Sequence, residues 1–192
     1  MDKNIIKQQA GIFEKARNNL LAVLAFTAVN IVLTAFDAKV NFLFSASLPQ
    51  FVFHLGKNFD LELGTDLFVK IGLTIAAVII ALYFVFWFLA KRQRIFILIA
   101  LIFFGIDSIV LVYLIFNIEF DFSVLMEIAF HIWILYYLIN GTRAWAKLRG
   151  ISYEEYQVIL QEIKSGKSGN TAENTDNKSE DDKAEEENKL NN

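Results

Sequence analysis

Four long apolar runs constrain this chain more than any other feature. They cover residues 20–36, 68–90, 95–116 and 122–140, and each approaches the roughly 20 residues that an α-helix needs to cross a bilayer. Hydrocarbon offers backbone amides no water, so such runs fold as helices that satisfy their own backbone. The sequence therefore predicts an all-α fold: a bundle of four transmembrane helices over about 18–36, 68–90, 95–116 and 122–140, within a membrane domain of residues 1–150. Composition agrees. The chain is 55% hydrophobic, above the ~45–50% apolar content typical of soluble domains. It has no Cys, which excludes disulfides, thiolate metal sites and cysteine nucleophiles.

Basic residues set the expected orientation. With the N-terminus inside, Lys3, Lys7, Lys15, Arg17, Lys91, Arg92, Arg94, Arg143, Lys147, Arg149 and Lys164 fall in the cytoplasm, and Lys39, Lys57 and Lys70 fall outside. That asymmetry follows the positive-inside rule. It places both termini in the cytoplasm and the chain in the plasma membrane as a multi-pass protein. Lys91 to Arg94 alone separate the second and third runs, so those helices are antiparallel neighbours. The first run lacks a small-residue cleavage site just after it, so it reads as an uncleaved helix rather than a signal peptide. Ahead of it, Ile5, Ile6, Ile12 and Phe13 at helical spacing suggest a short interfacial helix.

Residues 40–56 are apolar enough to consider as a fifth span. Asn41, Ser45, Ser47, Gln50 and His54 argue against it, and Pro49 is expected to interrupt a short helix at its centre. A fifth span would also carry the Lys91–Arg94 cluster outside. An interfacial or re-entrant segment fits better.

After Gly150, Ser152 and Glu155 form a capping-box pattern, and Tyr153, Tyr156, Ile159, Leu160 and Ile163 recur on one face. A cytoplasmic amphipathic helix is expected over 151–164. From 165 to 192 the chain carries four Lys and eight Asp or Glu among Asn and Ser, the composition of a disordered acidic tail. Without that tail, 14 basic residues face 13 acidic ones, so the body has no basic surface for nucleic acid.

Ionisable groups inside a membrane are costly, about 2.5–3.5 kcal/mol each near the bilayer centre, and mark candidate sites. Three fall inside the runs: Asp107, Glu127 and His131. At about 1.5 Å per residue they lie roughly 18, 20 and 14 Å from the cytoplasmic ends of their helices, so they share a level, and Glu127 and His131 share a face. Asn30, flanked by Thr27 and Thr34, stands at a similar height. These residues form an expected intramembrane polar cluster. With His54 from the outer connection, Asp107, Glu127 and His131 are also weak candidate metal ligands, because carboxylates and imidazoles suit divalent cations. The alternative is that they tie helices together by hydrogen bonds worth about 1 kcal/mol each. In the 68–90 run, Gly72 with Ala76 and Ala77 with Ala81 form small-residue pairs that permit close helix approach, expected to pack the bundle.

The stretch Arg17-Asn18-Asn19-Leu20 through Asn30, followed by Phe42-Leu43-Phe44-Ser45-Ala46-Ser47 and Pro49, resembles small uncharacterised multi-pass membrane proteins of Gram-positive bacteria. The resemblance covers the first third of the chain and implies a bacterial membrane, without an activity.

No phosphate loop, zinc-protease motif or catalytic triad is present. The sequence favours a non-enzymatic accessory or scaffold subunit that acts in the bilayer through a membrane-protein partner or a homo-oligomer, with no cofactor. A small oligomeric transporter or channel component using the acid/His cluster is the second reading, and an intramembrane metalloenzyme the third.

Overall fold

The structure, a computed structural model, describes residues 2–36, 38, 45–116 and 122–165, apart from the side chain of Ser123. The connection at 117–121 and the expected disordered tail beyond 165 lie outside the described residues. Among the described residues the fold is all helical: α1 (Lys3–Ala35), α2 (Ser47–Leu63), α3 (Leu67–Ala90), α4 (Phe96–Ile115), α5 (Phe122–Lys147) and α6 (residues 153–165). Of these, α1, α3, α4 and α5 are long and apolar enough to cross a membrane, as the four runs predict.

Several expected boundaries are corrected. The separate helix expected before residue 18 is the first part of α1, a continuous 33-residue helix; no Pro intervenes, and Gly11 has open space around it. The fourth long helix does not stop at Asn140 but runs on to Lys147. Gly141 leaves room for α1, since a Cβ there would run into the Cβ of Ala16. Pro49 does not interrupt a helix. It is the third residue of α2, in the first turn, where a missing N–H costs no intrahelical bond. The helix then continues through His54 and past Gly56 to Leu63, beyond the expected 40–56 segment, of which residues 40–44 lie outside the described residues.

The chain divides into two units. The larger, residues 12–149, contains the hairpin of α2 and α3, whose backbones are brought together by two glycines. A Cβ on Gly56 would collide with the Phe68 carbonyl, and one on Gly72 would lie 2.8 Å from the Val52 carbonyl oxygen. The pairings 56 with 68 and 72 with 52 run in opposite directions, so the helices are antiparallel. Gly64 ends α2 in the left-handed conformation (φ 63°, ψ 36°), its N–H returning to the Asp60 carbonyl, as glycine does at helix C-termini. Ile31 of α1, Phe53 of α2 and Ala76 of α3 form a buried cluster. Gly72 and Ala76 are buried, whereas Ala77 and Ala81 are exposed, so the first small-residue pair packs the interior and the second does not.

The smaller unit joins residues up to Gly11 with residues from Gly150 onward. Lys3 and Lys7 both reach Glu162, at 2.9 and 2.7 Å. Ser152 accepts the Glu155 N–H at 3.1 Å, as its cap pattern predicts. Tyr156 and Ile159 are buried, while Tyr153 at the start of the expected apolar face is exposed.

Candidate functional site

Helical spacing brings the expected residues inward. In α4 the buried positions Ile97, Ala100, Phe104, Asp107 and Leu111 recur every three or four residues, so Asp107 lies on the packed stripe and is fully buried. In α5, Val124, His131, Ile134 and Leu138 mark the equivalent stripe, and Glu127 falls on it, half-buried. His131 stacks on the Phe104 ring at 5.1 Å and meets Phe130 edge-on.

These side chains converge on the first turn of α2. That helix begins with Ala46 at its N-cap, which has no side-chain cap, so its first backbone N–H groups need partners from elsewhere. Asp107 supplies them: its Oδ2 accepts the Ser47 N–H at 3.0 Å and its Oδ1 the Leu48 N–H at 2.6 Å. A carboxylate here also complements the positive end of the helix dipole. The N–H of Ala46 goes to the Thr27 hydroxyl at 2.8 Å, and Pro49 has none to place.

His131 Nε2 lies 3.0 Å from Asp107 Oδ2, and its Nδ1 lies 3.0 Å from the Glu127 carbonyl oxygen. A carbonyl only accepts, so Nδ1 is the donor in that contact. The Ser47 hydroxyl donates to Glu127 Oε1 at 3.0 Å and sits 3.5 Å from His131 Nε2. Asp107 and His131 are thus in direct contact, and Glu127 joins them through Ser47. Asn30 enters at one remove: its Nδ2 donates to the Ser45 hydroxyl at 2.8 Å, which also accepts from Gln50 at 3.2 Å.

His54 does not join this centre. It sits exposed on α2, two turns beyond Ser47, on the wall of a cleft of about 290 Å³ between α2, α4 and α5. Ser47, Gln50 and His54 line one side, Leu111 and Leu114 another, and Glu127 contributes its carboxylate. Among the described residues, no three His, Asp or Glu side chains are grouped to hold a metal ion.

Sequence reasoning missed the part played by Ser47, which links every member of the centre. Pro49 was a signal for a helix start, but no pattern in the sequence pairs Ser47 with Asp107 or Glu127. It also missed Asp60, which does for α3 what Asp107 does for α2. The N-cap of α3, Asp66, makes no side-chain cap, and Asp60 instead accepts the Phe68 and Val69 N–H groups at 2.9 and 2.6 Å and the Thr65 hydroxyl at 2.6 Å. Burial opposes the charge on Asp60, but the bonds from Thr65, Val69 and Phe68, with Lys70 nearby, outweigh it and hold the carboxyl below its ordinary range.

No protein-family model, curated protein or solved structure matches this chain.

Proposed function

We propose that this chain is an integral protein of a bacterial plasma membrane, with both termini cytoplasmic, and that it binds and passes a small solute or protons as a component of a transporter or channel. In this reading α2 is a re-entrant helix whose N-terminus ends inside the bilayer. Broken helices of this kind are tolerated where protein or a polar cavity satisfies the freed backbone groups, and in transporters they place substrate and ion sites near the midplane. The observation that carries the reading is Ser47: its hydroxyl donates to Glu127, on the wall of an open cleft, and its N–H donates to Asp107 of the closed Asp107–His131 pair. A polar path from cleft to core is an arrangement a proton- or solute-linked protein can use, and simple helix packing has no need of it. Four spanning helices enclose little space, so the working form is an oligomer or a complex with a partner.

Reconstitution tests this. Liposomes carrying the protein and an internal pH dye should collapse an imposed pH gradient faster than protein-free liposomes, and Glu127→Gln should slow that collapse while leaving the fold intact. Gradient decay equal to that of empty liposomes, with or without added solute, contradicts the reading.

One observation supports a second reading, an accessory or scaffold subunit. Both Asp107 oxygens and both His131 nitrogens are already engaged by the protein, which is what a purely structural cap requires. On this reading the chain works through a partner, and native-membrane purification should recover that partner in stoichiometric amount. A chain that purifies alone contradicts it.

A further inference from the structure

The cleft between α2, α4 and α5 has a chemistry that selects among occupants. Its polar side is the Ser47–Gln50–His54 face of α2, its apolar side includes Leu111 and Leu114, and Phe51 adds an aromatic ring. The carboxylate of Glu127 stands in it, and among the described residues the Ser47 hydroxyl is the one donor that side chain receives. Among the described residues no Lys or Arg lines the cleft.

We propose that this cleft binds an organic ammonium with an apolar body, Glu127 supplying the countercharge and Phe51 an aromatic face. The proposal rests on the reading of the cleft as a ligand site and names the class of ligand. Three alternatives fit less well. An anion would meet a carboxylate with no cation to offset it. A bare divalent cation would need several oxygen ligands, and no such group of acids is present among the described residues. A wholly apolar guest, such as an acyl chain, would take the Glu127 carboxylate and the His54 ring out of water without offering either a new partner, which is unfavourable. An ammonium attached to an apolar body meets both walls: its charge pairs with Glu127 and is attracted to the face of an aromatic ring, while its body covers the leucines. A volume of about 290 Å³ sits at the lower end of the roughly 300–1,000 Å³ of small-molecule sites, so the guest is small.

Two probes of the same shape separate charge from size: benzyltrimethylammonium, which carries a permanent positive charge, and neopentylbenzene, its neutral carbon isostere. Binding of each is measured to the full chain in lipid nanodiscs, with empty nanodiscs subtracted, for the natural protein and for Glu127→Gln, whose melting curve reports its fold. The expected result is saturable binding of the cation that falls at least about tenfold in Glu127→Gln, with the neutral isostere binding weakly and equally to both. Equal binding of the two probes, unchanged by Glu127→Gln, overturns the ammonium assignment and leaves the cleft as a site for apolar guests. Absence of saturable binding by either probe, with Leu114→Trp filling the cleft and changing nothing, overturns both the assignment and the ligand-site reading beneath it.

Discussion

Asp107 of α4 accepts the Leu48 N–H of α2 at 2.6 Å, so a carboxylate from one helix caps the first turn of another. Asp60 repeats the arrangement on α3, through Val69 at 2.6 Å. In both cases the residue at the N-cap position makes no side-chain cap, and an acid on another helix takes its place. The caps therefore join elements as well as closing helix ends: α4 holds the start of α2, and the end of α2 holds the start of α3.

Removing the first cap should be costly. Asp107→Ala leaves two backbone N–H groups and an imidazole without their acceptor, and an unsatisfied buried donor costs about 1–3 kcal/mol. A total loss of about 3 kcal/mol in folding stability is expected, read as a lower melting temperature in detergent. Asp107→Asn keeps one acceptor oxygen and should lose less. Equal stability of Asp107→Ala and the natural chain would remove the cap from the account.

The α3 cap gives a comparison between neighbouring acids. Asp60→Asn should lower the melting temperature, while Asp66→Ala, at the conventional cap position, should leave it unchanged. The reverse order would mean that Asp66 caps α3 and that the Asp60 contacts are incidental.

Glycine substitutions test the α2–α3 contact. Gly56→Ala and Gly72→Ala each press a methyl group into a backbone carbonyl, and overpacking of this kind costs about 1–3 kcal/mol. Gly105→Ala in α4 meets open space and should be neutral or slightly stabilising, because Ala favours helix over Gly by roughly 0.5–1 kcal/mol. Thermal melts of the three variants decide the point.

Much of this was legible in the sequence, for identifiable reasons. Apolar runs report the solvent around a helix directly, so the four long helices follow from them. The constant rise of a helix places Asp107, Glu127 and His131 at one level, and the contacts of Asp107 with His131 and, through Ser47, with Glu127 agree with that. The caps were not legible. Periodicity records which residues share a face on one helix, and it carries no information about which other helix supplies a missing acceptor. Pro49 misled because proline breaks a helix interior and also starts a helix, and only the position of the first turn separates the two.

Acidification should loosen the smaller unit. Lys7 and Lys3 hold the Glu162 carboxyl below its ordinary range, so their contribution to stability is fully present above the unfolded-state pKa and is lost as pH falls through the lower folded-state value. Amide hydrogen exchange over residues 153–165, corrected for intrinsic rates, should accelerate across that acidic window. Glu162→Gln should exchange faster at neutral pH and show no such transition. A transition that persists in Glu162→Gln would assign it to another acid.

On the proposed reading, α2 stands in the outer half of the bilayer with its N-terminus held at Asp107. The chain contains no Cys, so single cysteines introduced at chosen positions can be labelled without background in intact cells and in inverted vesicles, using a membrane-impermeant maleimide. The expected result is labelling of Leu61→Cys from the outside alone, labelling of Arg92→Cys from the inside alone, and protection of Leu48→Cys from both sides until the protein is denatured. Ready labelling of Leu48→Cys from the outside in the folded protein, or labelling of Arg92→Cys from the outside, would contradict it.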